Sequence, residues 1–225
     1  TKAIEKAQSK VENRNFEIRK NLLKFDDVMN DQRKVIYEQR LDILKSKNIE
    51  LIFQDMLNES VRRILENNVS QNSETGFDEK EINREIKDLS GHSILIEPKN
   101  ELEEYLKNII HSLMLKIDEK YKLIGKENFM LVVKQLIVQI LDQQWKAHLL
   151  GLDQLRQGIG LRAYAQRDPL NEYKREAFTM FEDMLINVRV LVCRLVLLLE
   201  FKNEETEIKK ASSNSIKERL RNKRN

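Results

Sequence analysis

Residues 143–181, QQWKAHLLGLDQLRQGIGLRAYAQRDPLNEYKREAFTMF, decide the fold. On the incoming side Leu141, Trp145, Leu149, Leu152, Leu155 and Ile159 recur three or four residues apart, the spacing that puts side chains on one face of a helix. Gly158 and Gly160 then relax the backbone and end that arm. Asp168-Pro169 restarts it, because a carboxylate can cap free amides and proline tolerates the first helical position. The pattern predicts a helical hairpin with a short loop, Ile159 to Arg167, at its tip. Leu161, Arg162, Tyr164 and Arg167 fall in that loop, where a rigid hairpin would touch something else.

Working outward, the incoming arm begins near Glu127, and the outgoing arm runs from Pro169 to about Phe201 with Phe178, Phe181, Leu185, Val188, Val192, Leu195 and Leu199 as its seam. Its valines favour strand locally, but the sustained helical period outweighs them. Far upstream, the first helix should run from the N-terminus to about Lys45, since no Gly or Pro interrupts it. Ile4, Ala7, Val11, Ile18, Leu22, Phe25, Met29 and Ile36 form its stripe, with Arg14 and Gln32 at intervening steps. A helix of about 40 residues spans roughly 60 Å, far beyond the usual globular length, so it should act as a spine with the stripe as its seam. Three seams predict a long antiparallel three-helix core, with Trp145 as its largest side chain.

Between spine and hairpin, Ile49 to Glu66 is amphipathic and Asn67 to Gly76, NNVSQNSETG, has loop composition. Asp78 can cap a short helix through Leu89, ending at a Gly91 turn. Ile94, Leu95 and Ile96 could pass for a strand. Asn100 with Glu103 resembles a capping box opening a helix to about Ile124, which Gly125 ends or bends. This region is expected to be a small, separately packed helical subdomain.

Six Gly and two Pro in 225 residues make turns rare, while 34% charged and 6% aromatic residues suit a helical bundle with solvated faces better than a compact enzyme core. A net charge of +3 is too small to imply nucleic-acid binding. The single cysteine, Cys193, excludes an internal disulfide and a cysteine-based zinc cluster, and its apolar surroundings suggest a buried structural thiol. In the apolar run from Leu185 to Phe201, Arg189 and Arg194 would each cost about 2.5–3.5 kcal/mol at a bilayer centre, which argues against a spanning helix.

Catalytic constellations are not evident. Gly125-Lys126-Glu127 lacks the glycine spacing and the hydroxyl residue of a phosphate loop. His92, His111 and His148 are scattered, and His148 beside Trp145 suits a surface or satisfied bundle residue. Asp26, Asp27 and Asp31 could suggest a metal site. The plainer reading is a solvated face with compensating Arg and Lys, because no His or Cys stands at coordinating spacing.

Two motifs carry a family resemblance. The stretch RQGI-x-LRxYAQ-x-DP-x-x-EYKREAF-x-MF resembles the two-helix finger of the SecA family of export motor ATPases, and Val11 to Arg40, VENRNFEIRKNLLKFDDVMNDQRKVIYEQR, resembles that family's long scaffold helix. The region between is similar to the helical wing mainly by position. The resemblance implies an all-α fold: a long scaffold helix (1–46), a helical wing subdomain (47–125), a two-helix finger (126–201) packed antiparallel on the scaffold, and a polar basic tail (202–225). It implies that Leu161, Arg162, Tyr164 and Arg167 contact unfolded preprotein and the SecYEG channel, with Tyr164 foremost. Ala163 stands where the family commonly has glycine. It further implies docking to the motor nucleotide-binding domains, and no cofactor in this chain, ATP and Mg belonging to the parent protein. The expected location is cytoplasmic, peripheral to the inner face of the bacterial inner membrane.

No initiator Met or signal peptide opens the sequence, which suggests that it begins inside a longer polypeptide. The tail, ending KERLRNKRN, is either a solvated terminus or a segment drawn to an anionic membrane surface, and it lacks the cysteine-rich zinc segment common in the family. Besides a non-catalytic part of an export ATPase, a helical-bundle interaction or adaptor module and a basic nucleic-acid binder remain open. The balanced charges upstream count against the last.

Overall fold

A computed structural model describes residues 2–70, 76–93, 101–159 and 168–201, with every side chain among them except that of Asn21. Their order is α1 (Lys2–Lys45), α2 (Ile49–Asn67), α3 (Glu79–Ser90), α4 (Leu102–Ile124), α5 (Lys126–Ile159) and α6 (Pro169–Leu198). The fold is all-α, the sole β feature among the described residues being an isolated antiparallel bridge between Val69 and Phe77. Two compact units are formed, Thr1–Ser60 with Val133–Val192 and Val61–Val132 with Cys193–Asn225.

The first unit is the spine and hairpin. Contacts between α1 and α5 descend in number along one as they rise along the other: Asp26 meets Arg156, Gln32 meets His148, Arg40 meets Asp142 and Leu44 meets Lys134. Those helices are therefore antiparallel. The arms α5 and α6 oppose each other likewise, with Trp145 against Phe181 and Gly151 against Met180. Ile36, Ile43, Phe53, Ile137, Trp145, Leu152, Tyr173 and Val188 are among the side chains buried in this unit. At the end of α1, Lys134 donates to the carbonyls of Leu44 (2.6 Å) and Ser46 (3.2 Å), satisfying acceptors that a helix terminus leaves open.

Two expectations for this unit change. The α1 stripe is a seam over only part of its length, for Ile4 is 72% exposed, Val11 58% and Leu22 46%. Burial begins near Phe25, where the described ends of the hairpin arms lie, so the earlier turns have no described neighbour to cover them. Gly158 and Ile159 are still helical in the last described turn of α5, so the arm runs at least to Ile159, and Gly160, the other glycine of the expected break, lies outside the described residues. One helical glycine costs about 1 kcal/mol against alanine. Burying the next residue, Ile159, which is 3% exposed, returns about 1.5–3 kcal/mol. On α6, Phe178 and Leu195 are exposed, and the buried row is Tyr173, Ala177, Phe181, Met184, Val188 and Val192. Tyr173 and the small Ala177 turn inward together, one helical turn apart, which rotates the adjacent Phe178 outward.

The second unit is smaller-elemented. Asp78 caps α3 by accepting from the Glu81 amide, and Gly91 closes it with a left-handed φ of 74°. Gly125 ends α4 with φ 83°, as its sequence position suggested. The cap of α4 is Glu101, which makes no side-chain capping bond, and the Glu103 carboxylate instead meets Arg62 at 2.8 Å. That guanidinium holds the Glu103 carboxyl below the usual carboxylate range, its hydrogen bond being the main cause. Asn100 and the run Ile94 to Ile96 lie outside the described residues. Phe77 packs edge-on to Tyr105, and Phe129 packs edge-on to Tyr121 and Phe201. Lys120 donates to the carbonyls of Val196 (3.1 Å) and Leu197 (2.5 Å) at the end of α6. Cys193 is buried in this unit. Among the described residues no helix is long and apolar enough to cross a membrane.

Candidate functional site

Leu161, Arg162, Tyr164 and Arg167 all lie outside the described residues, as do Gly160 and Ala163. What the structure builds is the root that carries them. Asp168 accepts from the Leu170 amide at 3.2 Å and Pro169 opens α6, so the outgoing arm starts where its sequence signal stands.

Next to the tip, Leu152, Ile159, Tyr173 and Ala177 form a fully enclosed cluster, with Phe25, Val28, Met29 and Leu155 packed against it. Phe25 meets Tyr173 edge to face at 4.9 Å between ring centroids, tying α1 to the first turns of α6. The Tyr173 hydroxyl is buried with no hydrogen-bond partner among the described residues, and burial pushes its ionisation up. Above this cluster Arg156 donates to Asp153 (2.8 Å) on its own helix and to Asp26 (3.4 Å) on α1, while Gln157 holds the other Asp153 oxygen at 2.8 Å. These charges are partly exposed, so each pair contributes about 0.2–1 kcal/mol and serves more to orient than to stabilise.

One step further down, the seam turns polar. Gln32 donates through its amide nitrogen to the Ala177 carbonyl at 3.0 Å, and its amide oxygen lies 2.8 Å from His148 Nε2. That oxygen can only accept, so His148 Nε2 carries the proton and donates. Gln32 and His148 are both buried, and burial lowers the pKa of His148 below the ordinary value. The imidazole lies 5.5 Å from the Trp145 ring and 5.6 Å from that of Phe181. Below them the Arg40 guanidinium grips Asp142 through two bonds of 2.9 and 3.2 Å, which raises the Arg40 pKa through hydrogen bonding first and charge second.

His148 is thus a satisfied bundle histidine, the second of the two settings, surface or bundle, that its position suggested. Asp26 and Asp31 pair with Arg156 and with Lys34 at 3.1 Å, the compensating cations of a solvated face. No group of three or more His, Cys, Asp or Glu stands where it could hold a metal among the described residues. Sequence reading passed over Tyr173, Ala177 and the pairing of Gln32. A signal existed for the last: one polar residue interrupts the apolar series Met29, Gln32, Ile36 and another interrupts Trp145, His148, Leu152. Two interruptions on facing seams call for each other.

The family model of the SecA Wing and Scaffold domain matches residues 1–200. The chain belongs to the SecA wing and scaffold family. Among curated relatives named protein translocase subunit SecA, the Wigglesworthia glossinidia brevipalpis protein is 42% identical over 209 residues, covering 90% of this chain and 25% of that relative. The Rickettsia canadensis protein is 44% identical over 208 residues (87% of this chain, 22% of the relative), and the Pelagibacter ubique protein 41% over 223 residues (95% and 26%). The chain spans about a quarter of the length of these SecA relatives. Within the SecA family, then, the root just described lies in the wing and scaffold domain.

Proposed function

We propose that this chain is the non-catalytic scaffold, wing and finger part of a SecA-type motor, presenting Leu161, Arg162, Tyr164 and Arg167 to unfolded preprotein and to the SecYEG channel. ATP and Mg act in nucleotide-binding domains elsewhere in the parent protein, which docks on the spine and associates peripherally with the cytoplasmic face of the inner membrane.

The observation that carries this reading is the match to the SecA wing and scaffold family over residues 1–200, with the loop-side ends of the hairpin arms braced against a long spine. Such bracing suits a tip that must hold position against a passing polypeptide. Leu161 and Tyr164 give that tip an apolar contact indifferent to target sequence, while Arg162 and Arg167 reach carbonyl or anionic groups. The uncovered early turns of α1, with Ile4, Val11, Phe16 and Leu23 exposed, fit a spine on which further parts of a longer protein lie.

A photo-crosslinker at Tyr164 in the intact parent protein tests the assignment. Capture of a stalled preprotein or of SecY at that position is expected. Capture only from sites at the other end of the bundle, with none from Tyr164, would defeat it.

A further inference from the structure

We infer that Gln32 is a register lock that makes the spine and both arms of the hairpin slide as one body or not at all. The inference does not rest on the translocase reading, since it concerns α1, α5 and α6 by themselves.

Apolar seams alone define axial register weakly. Leu, Ile and Val rows repeat every turn, so a helix displaced by one turn, about 5.4 Å, meets another apolar row. The described hairpin seam consists largely of such rows. Gln32 breaks the degeneracy because one amide serves two helices in opposite senses. Its nitrogen needs an acceptor on α6 and finds the Ala177 carbonyl, and its oxygen needs a donor on α5 and finds His148 Nε2. The amide cannot be turned over, since that would set oxygen against the Ala177 carbonyl.

A slip of α1 by one turn replaces Gln32 at this level by Met29 or Ile36. The imidazole N–H would then face an apolar side chain, and the Gln32 amide would be carried into an apolar layer. Each buried group left unpaired disfavours the slipped register by about tenfold or more. The enclosure by Trp145 and Phe181 heightens that penalty. Relative sliding of spine and arms is therefore suppressed at this level, and displacement of the tip requires bending of the helices or movement of the whole three-helix body. A single buried polar residue fixing register in a helical seam has the same logic in coiled coils.

Spin labels at Lys34 with Thr179, and at Lys34 with Gln154, in a Cys193→Ala background measure the α1–α6 and α1–α5 offsets by pulsed dipolar spectroscopy. The wild-type chain should give one narrow distance for each pair. Gln32→Met, similar in volume but without polar atoms, should keep the helix content and yet broaden these distributions or add a population displaced by about 5 Å. Narrow, unshifted distances in a folded Gln32→Met chain overturn the lock and leave Gln32 as a contributor to stability only. Should Gln32→Met not fold, Gln32→Asn gives the same reading, because the shorter amide cannot reach both partners. Broadened or displaced distances support the lock, and unchanged ones overturn it.

Discussion

In the spine and hairpin, His148 is a buried histidine whose ionisation the fold opposes. Burial disfavours its charged form, so its folded pKa lies below the ordinary 6.5, and no neighbouring charge contributes to the shift. A depressed histidine binds its proton more readily when unfolded. The stability it supports is accordingly complete above about pH 6.5 and is lost as pH falls from there through the folded pKa. Urea midpoints measured at pH 7.5 and 5.0 should therefore drop for the wild-type chain. His148→Gln keeps a donor for Gln32 and removes the titration, and its midpoint should drop less. Equal drops in both chains would place the acid sensitivity elsewhere. The residue scale also shows where sequence reading stops: His148 could be seen as a bundle residue, but its partner on α1, 116 positions away, could not be read from local spacing.

At the scale of the element, helix existence and caps were legible. Asp78, Gly91, Gly125 and the Asp168-Pro169 pair each mark a helix end in the structure, because capping is a local exchange between one side chain and adjacent amides or one permissive φ. Gly158 shows how such a local signal is offset by packing. Its conformational freedom favours a break, yet Ile159 beyond it is anchored in the hairpin core, and that anchoring outweighs the cost of one helical glycine. A Cβ built on Gly158 meets nothing within 4 Å. Gly158→Ala should thus stabilise the chain by about 0.5–1 kcal/mol, read as a higher denaturation midpoint at unchanged m-value. A lowered midpoint would mean that this turn is not helical in solution. The rotated face of α6 teaches a related lesson, for Ala177 and Phe178 are both apolar and periodicity could not choose between them. Tertiary packing around Tyr173 made the choice.

For the whole molecule, α1 is the element whose two halves differ most. Its C-terminal half is fastened by Phe25, Gln32, Ile36, Arg40 and Ile43, whereas from Lys2 to Lys20 every side chain is exposed. A helix without tertiary cover is marginal in water, since nucleation is costly and propensity adds little. Hydrogen exchange on the isolated chain should find amides of residues 5–20 exchanging at least a hundredfold faster than those of residues 32–43. Similar protection in both halves would mean that the early turns are covered in solution. In a longer parent protein that docks on the spine, the early turns should gain protection.

The sequence by itself determined that the chain is helical, where most helices begin and end, and that a spine and a hairpin share apolar seams, because periodicity and capping act over one or two turns. Family membership was equally legible, since two long motifs in order survive at about 40% identity. Only the tertiary structure decided which stretch of α1 is a seam, which face of α6 turns inward and which polar side chains meet across the core. Those outcomes depend on groups brought together from more than a hundred residues apart, as with Gln32, His148 and Ala177, and no local pattern encodes the distance between them.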